Sequence, residues 1–234
     1  MEVVIIRLTA YREKDYIVNA LSNDGMITFR ANGALNVKSK FAGKLFLYAL
    51  VDVELRATKA GFTLTNVESL TNMAKIFTDL KKIITLNIIG EVISKTLKDD
   101  DSIIDAFTLV KKTLVSITKT DRQLSLTYLF VTNLLRILGN RLVIDRCVRC
   151  GQKTNIIGVS YYEGGLMCKK CGDERSIMLN AEAIKILRYG FMISEDELLR
   201  HEFDDVEALP MLLLMLSYLE FTYNFKIISK DLLK

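Results

Sequence analysis

The sequence predicts an α+β protein in which a five-stranded OB-fold barrel precedes a helical domain that carries an inserted zinc-ribbon-like module. Three observations support this fold class. Residues 1–70 contain short β-branched runs between glycine-bearing turns, whereas apolar residues recur at helical spacing from about residue 72. All four cysteines lie late in the chain, in two C-x2-C pairs. We therefore predict a barrel domain at 1–72 and a helical domain at 73–234, with the insertion at 145–175.

Five strands are predicted in the first 70 residues. Each run is short and rich in β-branched or aromatic residues, and turn motifs such as Asp24-Gly25 and Asn32-Gly33 separate some of them. The predicted strands are 2–8, 15–21, 26–31, 45–56 and 62–69. Five short strands in this length are typical of a small closed barrel such as an OB-fold.

Helical spacing of apolar residues follows, and helix packing is enough to explain it. The first predicted helix runs through Ile76, Leu80 and Ile88 with Gly90 inside, and the second is capped by Asp99–Ser102 and carries Ile103 to Leu114. The third runs from about Asp121 through Ile137 and stops near Gly139-Asn140. The last two are at 180–191 and after Asp204-Asp205, with Pro210 near a first turn. The most apolar run, 209–228, is interrupted by Glu220 and Lys226, so we expect a core helix and no membrane contact.

The four cysteines are the most specific motif in the chain. They are Cys147, Cys150, Cys168 and Cys171, with seventeen residues between the pairs and a glycine after each pair. This spacing is typical of a tetrathiolate zinc site with a small hairpin between its two knuckles. Disulfides are the alternative, but the first residues lack the features of a signal peptide. Because four thiolates leave no position for an activated water, we expect one structural zinc ion.

Catalytic chemistry is poorly supported, and we expect the protein not to be an enzyme. The only histidine, His201, lies in a charged segment far from any cysteine, which argues against a nucleophile pair and against a zinc deaminase. No glycine-rich phosphate loop occurs. Asp99-Asp100-Asp101 is the acidic cluster that a magnesium nuclease would use, but its position between helices indicates a cap and a solvated loop.

The segment 35–44 contains three lysines, a phenylalanine and no acid. A solvated loop is one interpretation. On a barrel with further basic residues, however, lysines that follow phosphates and aromatic rings that stack on bases are how OB-folds bind single strands. Tyr11, Phe29 and Phe41 are candidates for stacking, although aromatic residues in small barrels are more often core. The predicted DNA-binding residues, acting mainly through phosphates, are Arg30, Lys38, Lys40, Lys44, Arg12, Lys14, Arg56 and Phe41. Basic residues around the cysteines, among them Arg149, are interpreted as a charged surface or as further DNA contacts.

A barrel, a helical bundle and a C-x2-C-G…C-x2-C-G insertion, in this order, resemble the RecO family of bacterial recombination mediators. The similarity extends to local motifs. These are YREKDYI at 11–17, DGMI at 24–27, ANGA at 31–34 followed by KSK at 38–40, LG at 138–139, DRCVRCG at 145–151 and YEGGLMC at 162–168. The resemblance covers nearly the whole chain, and the cysteine region is its most specific part. One departure lies at 32–36, where relatives often carry an extra basic residue after the Gly-Ala.

The resemblance implies a non-enzymatic DNA-repair protein that binds single- and double-stranded DNA and anneals complementary strands. It also implies cooperation with RecR in loading RecA onto strands coated by single-strand-binding protein, whose acidic, apolar tail would dock on the helical domain. A cytoplasmic, nucleoid-associated location follows. Some family members lack the cysteines, so zinc is not required for the family's activity. The alternative function is a zinc-ribbon adaptor that docks other proteins and contacts DNA only incidentally.

Overall fold

The computed structural model describes residues 1–97, 103–198, 200 and 203–233. The chain divides into two compact units, Met1–Asp121 and Arg122–Lys234. The first unit contains the barrel and the three helices that follow it, whereas the second contains the cysteine segment and the remaining helices. The predicted boundary at residue 72 stays a prediction, and the predicted roles of Asp99–Ser102 and His201 lie outside the described residues.

The first unit begins with the predicted five-stranded barrel. Its strands are β1 Glu2–Tyr11, β2 Asp15–Ser22, β3 Gly25–Ala31, β4 Leu50–Thr58 and β5 Gly61–Ser69. They close in the order β1-β2-β3-β5-β4, and of these strand pairs only β3–β5 is parallel. Val18, Phe29 and Val53 are among the side chains that fill the interior. The α+β class and the OB-like barrel are therefore confirmed.

The predicted strand 45–56 begins five residues too early, because residues 45–49 form a turn. Tyr48 has a φ of 63°, in the left-handed region, and the backbone N–H of Ala49 donates to the Phe46 carbonyl at 3.1 Å. The Tyr48 ring then packs so closely on Gly90 that a Cβ there would lie 2.3 Å from it. Glycine is therefore required at position 90 because the Tyr48 ring approaches the helix backbone closely there, and not because the helix needs flexibility.

Three helices complete the first unit: α1 Met73–Phe77, α2 Leu80–Thr96 and α3 Ile103–Ser116. The single helix predicted through Ile76 and Leu80 is wrong, because the chain starts a new helix at Asp79. The Asp79 carboxylate accepts from the backbone N–H of Lys81 at 2.9 Å and so caps α2. Leu80 is 71% exposed, so its position four residues after Ile76 did not mark a shared buried face.

The second unit combines helices that pack on one another with a small sheet. It contains α4 Gln123–Ile137, β6 Ile156–Ser160, β7 Gly165–Cys168, β8 Ile177–Met178, α5 Ala181–Met192, α6 Asp205–Tyr223 and a 3₁₀ helix at Ile228–Leu233. The predicted hairpin is β6–β7, and β8 adds an unpredicted third strand in the order β7-β6-β8. Pro210 lies in the second turn of α6 and not near its first.

Within the described residues, α6 is long and apolar enough to cross a membrane by length and composition. Its apolar residues have a simpler explanation, because Met211, Leu212 and Leu216 are at most 2% exposed. They are buried where α6 packs against α4 within the second unit. The structure therefore supports the interpretation of this segment as a core helix.

Candidate metal centre and nucleic-acid interface

The second unit brings all four cysteines to one point. Cys147 and Cys150 lie on the loop between α4 and β6, Cys168 ends β7, and Cys171 follows it. Their Sγ atoms all lie within 4.8 Å of one another, and the Cys150 and Cys168 sulfurs are 3.7 Å apart. None of the four forms a disulfide.

This geometry fits a single tetrahedral ion. Thiolates at a metal–sulfur distance of about 2.3 Å place neighbouring sulfurs roughly 3.8 Å apart, whereas a disulfide needs about 2.05 Å. The Cys150–Cys168 distance of 3.7 Å matches the first value. The four cysteines can therefore bind a metal ion through four sulfur ligands.

The two glycines after the pairs serve different purposes. Gly151 has a φ of 76° and its N–H donates to the Cys147 carbonyl at 2.9 Å, as a knuckle turn requires. Gly172 closes the second knuckle with the same bond to the Cys168 carbonyl at 2.8 Å. Its φ is not in the left-handed region; instead, a Cβ there would lie 2.9 Å from the Ile157 side chain.

The electrostatics of the knuckles favour an ionised thiol at Cys147. Burial raises the pKa of this thiol, but hydrogen bonds from backbone N–H groups outweigh burial and lower the pKa to about 6. The donors are Cys168, Cys150 and Arg149. At Cys171 the hydrogen bond with the Cys150 thiol, followed by burial, raises the pKa to about 12. A bound cation favours the thiolate form of every ligand, so metal binding releases protons from this cluster.

Arg149, expected to be part of a charged surface or a DNA contact, instead makes three contacts within the cysteine segment. Its Nη1 donates to the Cys171 carbonyl at 3.0 Å. Its Nη2 donates to Glu163 at 2.7 Å and to Asp173 at 2.8 Å. Hydrogen bonds with Arg149 lower the pKa of both carboxyl groups and raise that of the guanidinium, so all three groups are ionised at neutral pH.

The cysteine segment is also anchored on α6. The Tyr161 hydroxyl donates to the Leu214 carbonyl at 2.7 Å, and burial raises the pKa of this phenol. The Tyr161 ring lies 5.3 Å from the Tyr218 ring, and the Tyr162 ring lies 4.8 Å from that of Phe221. The segment therefore packs on the helical core and does not depend on a metal alone for its position.

At the barrel, the β1–β2 turn is joined to the loop after β3. Asp15 accepts from Arg30 Nε at 3.1 Å and from the Gly33 backbone N–H at 2.7 Å. The Leu35 N–H donates to the Lys14 carbonyl at 3.0 Å. The Gly33 hydrogen bond, followed by that from Arg30, lowers the pKa of Asp15. One carboxylate therefore fixes the start of the lysine-bearing loop beside a basic turn.

The guanidinium groups of two arginines lie close to the Tyr11 ring on this rim. The guanidinium carbons of Arg12 and Arg30 are 5.2 Å and 5.1 Å from its centroid, within the range of cation–π contacts. Tyr11 itself is 39% exposed. This rim therefore presents an exposed aromatic ring with two positive charges beside it.

Strand register adds Arg56 to the same surface. Arg30 on β3 pairs with Thr63 on β5, which in turn pairs with Arg56 on β4. Residues in one cross-strand row face the same side of a sheet, and two strand spacings amount to about 10 Å. The structure therefore brings Arg56 onto the outer face of the barrel that carries Arg30.

The residues of the loop after β3 that were predicted to bind DNA differ in their exposure and in their contacts. Lys38 and Lys40 are exposed, and neither forms an ion pair within the described part of the chain, whereas Lys44 Nζ donates to the Val67 carbonyl at 3.0 Å. Phe41 is only 5% exposed and Phe29 only 1%, so neither ring can stack on a base. Both predictions of stacking are corrected: these rings belong to the core.

Sequence reasoning missed the roles of Asp15, which holds the loop after β3 beside the β1–β2 turn, and of Arg149, which links parts of the cysteine segment.

An apolar surface also occurs in the first unit, around α1. Phe77 is 48% exposed and contacts the Phe46 ring edge-on at 5.4 Å between centroids. Exposed Leu70 precedes α1 and exposed Leu80 begins α2. These two rings and Leu70 help to line a shallow groove, and helices α1 and α2 carry the exposed Lys75 and Lys81.

Two protein-family models match the chain. The model described as "Recombination protein O N terminal" covers residues 1–73, and "Recombination protein O C terminal" covers 78–231. Similar curated proteins are each named "DNA repair protein RecO". The protein from Caldanaerobacter subterraneus subsp. tengcongensis is 26% identical over 192 residues, which cover 80% of this chain and 78% of that protein. The protein from Listeria monocytogenes serotype 4b is 26% identical over 200 residues, with 84% and 78% covered. The protein from Geobacter sulfurreducens is 29% identical over 189 residues, with 80% and 77% covered.

Proposed function

This chain belongs to the recombination protein O (RecO) family of DNA repair, and on that premise we propose that it is a recombination mediator without a catalytic site. It binds single- and double-stranded DNA through the rim of its barrel and anneals complementary strands. With RecR it helps to load RecA onto strands coated by single-strand-binding protein. A location in the cytoplasm, at the nucleoid, follows from these activities.

The observation that carries this proposal is the meeting of the β1–β2 turn and the loop after β3. Through the Asp15–Gly33 and Lys14–Leu35 hydrogen bonds, the turn is held beside the segment that bears Lys38. Cations held on one rim displace counterions from a phosphate backbone, which gives binding that is independent of base sequence. The same neutralisation lowers the repulsion between two strands that approach each other, and this is the physical basis of annealing.

The role that we propose for each residue of this interface follows from its exposure and its contacts. Lys38, Lys40, Arg12, Lys14 and Arg56 are exposed and act as phosphate contacts. Arg30 is half-buried and ion-paired to Asp15, so it acts mainly by flanking Tyr11, which takes the stacking role once assigned to Phe41. Lys44 is committed to the Val67 carbonyl and contributes less than predicted.

We further propose that the four cysteines hold one structural zinc ion. Zinc fits the donor set because four thiolates at tetrahedral spacing are its usual structural shell. Bound zinc would supply cross-linking of the two knuckles, and no open position remains for a substrate. Metal analysis of the purified chain should therefore give one zinc per chain.

The tail of single-strand-binding protein would use the groove lined by Phe46, Leu70 and Phe77. Such a tail is acidic and apolar, and this surface offers apolar rings beside the exposed Lys75 and Lys81. An apolar groove with a basic rim is complementary to a peptide of this kind. Replacing Phe77 with Ser should weaken binding of a labelled tail peptide without changing DNA affinity.

The deciding experiment mixes the full chain with two complementary fluorescent oligonucleotides and follows duplex formation without nucleotide. We expect faster annealing, and we expect the Lys38→Ala/Lys40→Ala variant to lose most of the acceleration. A matched control, Lys75→Ala/Lys185→Ala, removes the same charge from helices and should anneal like the parent chain. Cleavage of the strands would indicate a nuclease, and no effect would leave the adaptor function.

A further inference from the structure

We propose that Arg149 is a positioning residue that joins the two knuckles and sets the affinity of the cysteine cluster for zinc, an inference that rests on the proposed structural zinc site. Arg149 lies inside the first C-x2-C pair, yet its guanidinium contacts backbone and side chains 14 to 24 residues away. Although Arg149 is exposed, it therefore links the two halves of the site.

The two halves of the second knuckle are held differently. On the Cys168 side, the Val148 backbone N–H donates to the Leu166 carbonyl of β7 at 2.9 Å, so main chain alone fixes the geometry. On the Cys171 side, the Cys171 and Gly172 N–H groups donate to the Cys168 carbonyl at 3.0 and 2.8 Å, and Arg149 Nη1 adds a bond from the first knuckle to the Cys171 carbonyl at 3.0 Å. A side chain thus reinforces the position of Cys171 relative to the first knuckle.

The acceptors of Arg149 are themselves fixed. Asp173 Oδ1 accepts from the Arg175 backbone N–H at 3.0 Å, and the Asp173 N–H donates to the Ser176 hydroxyl at 3.0 Å. Glu163 lies in the turn of the β6–β7 hairpin. Arg149 therefore connects three preformed turns, and its planar fork can address all three acceptors at once, whereas a lysine ammonium lacks that geometry.

Charge gives a second reason for an arginine at this position. A zinc ion with four thiolates carries a net charge of about −2, and Glu163 and Asp173 would add two carboxylates beside it. Arg149 pairs with both carboxylates, at 2.7 and 2.8 Å. Without it, like charges would face one another when the thiolates form. Outer partners of this kind typically change metal affinity by about 10–100-fold.

The test measures zinc affinity of the full chain by competition with a chromophoric chelator, and the cobalt(II) absorption spectrum reports the ligand set. We expect Arg149→Met to bind zinc about 10–100-fold more weakly while keeping a four-sulfur cobalt spectrum. Arg146→Met is the matched control, because Arg146 adjoins Cys147 but, among the described residues, its ion pair is with its neighbour Asp145, at 3.5 Å. The control should bind zinc like the parent chain.

A purely structural role would lower thermal stability without a specific loss of zinc affinity, so both are measured. Arg149→Lys keeps the charge and tests the fork; affinity equal to that of the parent chain would overturn the bridging role. The double substitution Glu163→Gln/Asp173→Asn removes both negative charges but keeps acceptor oxygens. In this background, Arg149→Met should lower the zinc affinity by a smaller factor than it does in the parent chain. Equal affinities for Arg149→Met and Arg146→Met would refute the inference alone, whereas absence of zinc binding by the parent chain would refute the zinc proposal.

Discussion

Replacing Lys38 and Lys40 together with alanine removes two cations from the loop after β3 without disturbing the barrel. Both side chains are exposed, and neither is ion-paired within the described residues, so each is available to one phosphate. Each phosphate neutralised on a single strand contributes about 0.7 to the slope of log K against log salt. The double substitution should therefore flatten the slope by about 1.4.

This change in slope has a direct consequence for affinity. Between about 50 and 200 mM salt, a fourfold range, a difference of about 1.4 in slope means that the parent chain loses about sevenfold more affinity than the variant. Fluorescence anisotropy with a labelled single strand at several salt concentrations measures it. Oligonucleotides of different sequence should show the same change, because phosphate contacts do not read bases.

The control is again Lys75→Ala/Lys185→Ala, which lowers the net charge by the same amount. If the two variants have the same slope, the loss is a general charge effect and the rim is not the binding surface. If Lys38→Ala/Lys40→Ala keeps the parent slope, the loop does not contact phosphates at all.

Three further predictions concern single side chains. Tyr11→Ala should weaken single-strand binding by about 1–3 kcal/mol, the usual value of one stacked base, while Phe41→Leu should leave it unchanged; anisotropy compares them. Gly90→Ala should lower the free energy of unfolding by about 1–3 kcal/mol in urea titrations, because its Cβ would meet the Tyr48 ring and overpacking outweighs the gain in helix propensity. The pKa of Asp15 is lower in the folded state, so its stabilising contribution is complete above its unfolded pKa of about 3.9 and is lost as the pH falls through the folded value. Asp15→Asn should therefore reduce the acid sensitivity of the melting temperature below about pH 4, and an unchanged profile would contradict this assignment.

Local patterns were enough to predict the elements whose sequence and packing agree. The spacing of Cys147, Cys150, Cys168 and Cys171 predicted their convergence, because two knuckles need only a hairpin between them to meet. The strands of the barrel followed from β-branched residues and glycine turns. In these segments the local secondary-structure preference and the tertiary contacts favour the same conformation.

The errors arose where distant contacts decide the conformation. The apolar run at 45–49 has the composition of a strand, but Tyr48 adopts a positive φ and its ring packs against Gly90, which lies far along the chain in α2. Phe41 lies in a lysine-rich loop, yet its ring is only 5% exposed. The role of Arg149 depends on Glu163 and Asp173, whose proximity follows only from the closed knuckles. Residue spacing alone carries no information on such contacts.

The anchor of the cysteine segment on α6 bears on how this family can change over time. The Tyr161 hydroxyl is bonded to a main-chain carbonyl, which every residue at position 214 would offer. Substitutions along α6 therefore leave that acceptor intact. The hydrogen bond that attaches the cysteine segment to α6 is thus independent of the cysteine sulfurs. A chain of this fold without the four thiols would keep this hydrogen bond, so the attachment of the cysteine segment to α6 does not require a metal ion.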